Sequence, residues 1–105
     1  MLLRLVLFAL SLAALPAIAA EAGTAPAPLP AQASKCLSCH GANGRPALAE
    51  VPIIAGQQPA YLANALRAYR DGSRSGGQAL VMQEMARGLA DDDIAALAAW
   101  FGDQS

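Results

Sequence analysis

The stretch KCLSCHG, Lys35 to Gly41, holds both cysteines and the single histidine of a 105-residue chain, at positions 36, 39 and 40. Two cysteines separated by two residues lie about one helical turn apart, so both sulfurs reach the same side of the chain, and the His40 imidazole projects towards the same region. Several chemistries compete for such a set. A disulfide between Cys36 and Cys39 closes a very small loop and does little for a fold, because loop-closure stabilisation grows with loop length. A thioredoxin-like dithiol belongs at the start of a helix that follows a strand, and no strand pattern is visible. Structural zinc takes four Cys or His ligands, and neither residue type occurs outside this stretch.

The N-terminus supplies the compartment. Residues 1–20, MLLRLVLFALSLAALPAIAA, read as a secretory signal: Arg4 is the basic start, Leu5 to Leu15 the apolar centre and Ala17-Ile18-Ala19 the small-residue cleavage site, with the cut after Ala19 or Ala20. The apolar run is shorter than the roughly 20 residues that a membrane span needs. An uncleaved N-terminal tether is the alternative. The mature chain is therefore expected to be soluble, without an integral membrane segment, and exported to the periplasm, where a cysteine pair is bridged or otherwise consumed. Loss of Arg4 takes the balance from 7 basic and 8 acidic residues to 6 and 8, so the net charge moves from −1 to −2. With no basic stripe and no interleaved aromatics, nucleic acid is not an expected partner.

Residues 21–30, EAGTAPAPLP, read as an Ala/Pro-rich leader, and residues 31–105 as the domain. Pro30 suits the first turn of a short helix running into Cys36. Gly41 to Gln57 reads as a long irregular loop, since Gly41, Gly44, Pro46, Pro52 and Gly56 all disfavour regular structure. Such a loop in so small a domain is usually there to wrap a ligand. Pro59 opens a second helix, along which Tyr61, Leu62, Ala65, Leu66 and Tyr69 recur at helical spacing until Gly72. After the loop 71–78, a third helix covers roughly Gln78 to Ala86. The last helix begins at the acidic run Asp91-Asp92-Asp93 and carries Ile94, Leu97, Ala98 and Phe101 on one face. The expected fold is all-α, three to four short helices, with no internal repeat.

Such a domain lacks a sufficient core. Its large aromatics are Tyr61, Tyr69, Trp100 and Phe101, and alanine fills many of the remaining helical positions. A covalently bound haem removes the difficulty: the two thiols form thioethers with the porphyrin vinyl groups, and the adjacent imidazole ligates iron. The export signal, the missing core and the long loop are then explained together. With His40 and both cysteines used, a second strong axial ligand comes from Met or Lys, or the position is open. Met82 and Met85, both about 40 residues beyond His40, are the candidates, and spacing alone does not separate them.

The chain resembles class I cytochromes c, in particular the bacterial c-four type and its small single-haem relatives. The likeness runs over residues 31–102, through CLSCHG, VPIIAGQQPAYLANALRAYRDGSR and MQEMARGLADDDIAALAAWF. It implies a small class I cytochrome c fold around one haem c with its iron. In that family the ligand methionine stands seven residues before the leucine that precedes the last helix, which selects Met82 and leaves Met85 as packing near the ring. The resemblance also implies that the carbonyl of Pro52 accepts the Nδ1–H of His40, that Gln57 and Tyr61 line the haem edge, and that Arg70 meets a propionate. Trp100 and Phe101 match an aromatic pair that packs near Ala31 and Ala33. Two departures stand out: Ala90 occupies the place of a capping Ser, so that Asp91 is expected to cap instead, and the chain carries one haem motif where c-four proteins carry two.

The resulting expectation is a carrier and not an enzyme. With His and Met on both axial faces no position is left for substrate, and one-electron exchange is the remaining chemistry. Redox partner proteins would dock transiently at the haem edge near Leu37, Ser38, Gly77 and Val81. The alternatives are a cytochrome subunit of a larger dehydrogenase or oxidase complex, or a gas-binding or peroxidatic haem protein with an open sixth position.

Overall fold

In a computed structural model, residues 13–16 and 27–105 are described. Most of the signal assigned to residues 1–20 and most of the leader lie outside the described residues. Four helices follow in order: α1, Ser34–His40; α2, Pro59–Asp71; α3, Ala79–Ala86; and α4, Asp91–Gly102. Among the described residues there is no strand.

Each helix boundary has a local cause. At α1 the carbonyl of Pro30 accepts the N–H of Ala33 at 3.0 Å, which closes a turn over residues 31–33. Helix α1 therefore starts at Ser34, four residues later than a start at Pro30. Ala33 already has helical angles, φ −69° and ψ −28°, so turn and helix are continuous in shape and differ in hydrogen bonding. Helix α2 opens on Pro59, whose missing N–H costs nothing in a first turn, and closes on Gly72 at φ 80°, where a side chain would be strained. At α4 the cap residue is Ala90. The expectation that Asp91 caps is corrected here: Asp93 Oδ2 accepts the Ala90 N–H at 2.9 Å, half of a capping box, while Asp91 pairs with Arg70.

Helix α2 packs against both α3 and α4. The buried apolar residues are Ala33, Leu62, Ala79, Ala86, Leu89, Ile94, Leu97, Ala98 and Phe101, four of them alanines. Ile94, Leu97, Ala98 and Phe101 form the inward stripe of α4, and Phe101 meets Trp100 edge to face with ring centroids 4.9 Å apart. Ala33 belongs to the same cluster, with Cys36 and Leu37 packed against it, whereas Ala31 is exposed.

The segment 41–58 is irregular but held at several points. Gly44 has φ 87°, and its carbonyl accepts the N–H groups of Ile54 and Ala55 at 2.9 and 3.2 Å. A Cβ at this position would lie 2.9 Å from Ala55 N and 3.0 Å from the Phe101 ring, so only glycine lets the loop fold back this closely. Further on, the Gly56 N–H donates to Phe101 O at 3.0 Å and ties the loop to the end of α4. The loop is thereby fixed as one wall of a cleft.

Candidate functional site: a cleft between α1, the 41–58 loop, α2 and α3

The helices and the loop leave a space of about 840 Å³, its solvent-open part included. Cys36 and His40 of α1 line it, with Pro52, Ile53, Ile54 and Gln57 of the loop, Tyr61, Leu62 and Tyr69 of α2, Met82 of α3 and Phe101 of α4. Apart from His40, Gln57, Arg74 and the tyrosine hydroxyls, the walls are apolar.

His40 is 7% exposed, the one polar residue among the buried ones of the described residues. Its Nδ1 stands 2.9 Å from the Pro52 carbonyl oxygen. A carbonyl only accepts, so Nδ1 carries the proton, and in the neutral ring Nε2 keeps the lone pair. That is the arrangement in which an imidazole is oriented and made more basic as a metal ligand. The bond links residues 12 apart across the whole turn after α1, so it needs the loop's path as well as the histidine.

Cys36 and Cys39 are both free thiols, the first half-buried and the second exposed. Burial pushes the Cys36 thiol up from its ordinary value, with the Lys35 charge opposing in part. A redox dithiol needs the opposite, a lowered thiol pKa. Among the described residues no group of three His, Cys, Asp or Glu side chains is gathered to hold a metal ion. Disulfide, dithiol and zinc readings therefore gain nothing from the geometry. Cys36 lines the cleft; Cys39, three residues on, does not, and lies on the exposed side of α1.

Met82 lines the cleft together with His40. Met85 is not among the lining residues and is 39% exposed. Gln57 and Tyr61 line the cleft. Arg70 does not. Its guanidinium donates to Leu89 O at 3.1 Å and pairs with Asp91 at 2.7 Å. The cation that lines the cleft is Arg74, stacked over the Tyr69 ring with its guanidinium carbon 4.8 Å from the centroid. Sequence reading missed it because Arg74 lies beyond Gly72, where helical periodicity no longer tells a side chain's direction. Leu37 packs on the core, and Ser38, Gly77 and Val81 are exposed.

A free thiol, Cys36, an imidazole with its Nδ1 already bonded, and a thioether from a different helix line an apolar cleft in a domain with few buried side chains, and with the second thiol, Cys39, at the exposed side of α1 they fit a covalently held haem. A family model described as Cytochrome c matches residues 30–103. The chain belongs to the cytochrome c family. Haem c, with its iron, is this family's cofactor and electron transfer its function, and CLSCHG carries the attachment motif. Cytochrome c-554(548) of Halomonas halodenitrificans is 45% identical over 69 residues, covering 66% of this chain and 83% of that protein. Cytochrome c4 of Pseudomonas aeruginosa is 36% identical over 74 residues, 70% of this chain and 35% of that protein. The cytochrome subunit of sulfide dehydrogenase of Chlorobaculum tepidum is 34% identical over 70 residues, 67% of this chain and 60% of that protein. This chain therefore spans less than two thirds of the last two. No helix of the described residues is long and apolar enough to cross a membrane.

Proposed function

We propose that the protein is a periplasmic one-electron carrier, and not an enzyme, in which Cys36 and Cys39 hold one haem c by thioethers and His40 and Met82 are the axial ligands. The observation that carries this reading is the His40 Nδ1–Pro52 contact of 2.9 Å, which leaves Nε2 as the only ring nitrogen able to ligate, in a cleft that Met82 also lines. When bound, the haem supplies reversible exchange of one electron at its iron.

The chain's own residues do the rest. Cys36 and Cys39, one turn apart on α1, anchor one edge of the group so that it stays in place in both redox states. The Pro52 carbonyl fixes the His40 tautomer and keeps the ring from rotating. A methionine thioether held at the iron together with an imidazole would raise the potential relative to anionic or nitrogenous ligands. Ile53, Ile54, Leu62, Leu97 and Phe101 exclude water from the cleft walls, which favours the less charged reduced state. Gln57 and Tyr61 offer polar contacts at the edge. Arg74, the cation that lines the cleft, stands where it can meet an acidic substituent of the cofactor, the role that the resemblance alone gives to Arg70.

Partners would be redox proteins that dock transiently over Ser38, Gly77 and the exposed Val81. A second reading, a cytochrome subunit of a larger dehydrogenase, is favoured by the likeness to the sulfide dehydrogenase subunit. Native purification separates the two: a lone small cytochrome supports the carrier, and co-migration with a catalytic chain supports the subunit.

The ligand assignment is tested by the spectrum of the oxidised holoprotein. The weak long-wavelength band of thioether-ligated ferric haem is expected in the wild type and in Met85→Ala, and its loss is expected in Met82→Ala. The reverse result transfers the assignment to Met85. A high-spin spectrum that shifts on adding carbon monoxide to the reduced protein would sink the carrier reading.

A further inference from the structure

We propose that Gln83 is a positioning residue for Met82, and that the α2–α3 loop is a clasp through which it acts. The proposal rests on the reading of Met82 as an axial ligand. Helix α3 has 8 residues, with a glycine-containing loop before it and Gly88 soon after, so it is short to hold a ligand against the thermal motion of its own ends.

Besides its packing on α2, it is restrained by the loop 72–78. Gln83, the neighbour of Met82 in sequence, donates from Nε2 to the Arg74 carbonyl at 2.9 Å. Arg74 is itself fixed to α2 twice: its N–H donates to Ala68 O at 3.0 Å, and its guanidinium lies 4.8 Å from the centroid of the Tyr69 ring. Gln83 thus connects α3, through a single anchored residue, to the helix that forms the opposite part of the cleft wall. Gly76 and Gly77, at φ 94° and 51°, follow Arg74 and impose little rigidity of their own. Without the Gln83 bond the covalent path from α2 to Met82 runs through these two glycines, leaving the packing of α3 on α2 to hold the ligand helix.

The Met82 thioether is the weakest ligand in the proposed set, since the thiols are covalently bonded and His40 is braced by Pro52. Loss of one hydrogen bond at the clasp changes the balance between ligated and released thioether by about fivefold. The overall fold, which rests on the α2–α4 packing, is affected less.

The test uses the full holoprotein and three substitutions at position 83. Gln83→Leu keeps the size and removes the donor, Gln83→Glu presents a carboxylate to the Arg74 carbonyl, and Gln83→Lys restores a donor on a long side chain. In the oxidised protein, Gln83→Leu and Gln83→Glu are expected to lose the long-wavelength thioether band at lower temperature than the wild type, while the far-ultraviolet helical signal melts where it did before. Gln83→Lys is expected to recover much of the difference. The proposal is overturned if Gln83→Leu keeps the wild-type band transition, or if band and helicity fall together, which would make Gln83 a general structural residue. A Met82→Ala holoprotein that retains the band overturns the ligand reading itself, so the two failures are told apart.

Discussion

His40 shows how one side chain's function depends on a backbone atom twelve positions away. Its imidazole is a candidate ligand by type alone, but the Pro52 carbonyl at 2.9 Å decides which nitrogen is free. That carbonyl is in place because the loop turns back at Gly44, whose positive φ and close approach to Ala55 and Phe101 exclude a side chain. Gly44→Ala is expected to destabilise the holoprotein by about 1–3 kcal/mol, read from urea unfolding, and to broaden the haem spectrum as His40 loses its fixed partner. An unchanged unfolding midpoint would mean that the loop relaxes without strain. The same scale separates Met82 from Met85 and Arg74 from Arg70. In each pair both members are chemically suitable, and only the direction of the side chain differs.

At the scale of the element, the N-terminus of α4 is the least optimised part of the domain. Ala90 has the extended φ −75° and ψ 163° of a capping residue but no side-chain acceptor, and Asp93 supplies the return half of the box alone. Ala90→Ser should complete it and raise stability by about 1 kcal/mol, measured by thermal or urea unfolding of the holoprotein; a neutral or negative result would show that the Asp93 contact already saturates the terminus. Asp91, next in sequence, is bound to Arg70, and that hydrogen bond, with the Arg70 charge, holds its carboxyl below the usual carboxylate range. A group whose folded pKa is depressed stabilises the fold above its ordinary value, about 3.9, and the effect fades as pH falls through the folded value. Asp91→Asn is therefore expected to unfold more easily than the wild type at neutral pH, with the gap closing below about pH 4. A gap that persists unchanged at pH 3 would assign the effect to something other than ionisation.

For the whole molecule the controlling fact is how little protein there is to bury. Among the described residues, nine buried apolar ones, four of them alanine, surround a cleft that they do not fill. The chain with Cys36→Ala and Cys39→Ala, which cannot form thioethers, is expected to show no cooperative thermal transition by calorimetry and reduced helicity by circular dichroism. A sharp transition in that variant would mean that the helices make a sufficient core without the cofactor. This dependence also explains why the haem motif was legible at once: composition called for a filler, and CLSCH is the pattern that attaches one. The four helices were legible for a related reason, since Pro59, Gly72 and the inward stripe of α4 signal locally. The start of α1 was misread by four residues because a proline turn and a first helical turn share their backbone angles.

The sequence by itself determined the all-α class, the attachment motif and the family, because these depend on residue types at fixed short spacing. Tertiary structure alone decided which cation meets the cleft, which residue braces the end of α4, and what holds the methionine-bearing helix. Arg70 and Arg74 differ by one helical turn in sequence, yet Gly72 between them ends the helix, and the nearby Asp91 and Leu89 carbonyl capture the first while Tyr69 holds the second at the cleft. Competition between partners that are distant in sequence is settled only when the chain has folded, and spacing carries no record of it.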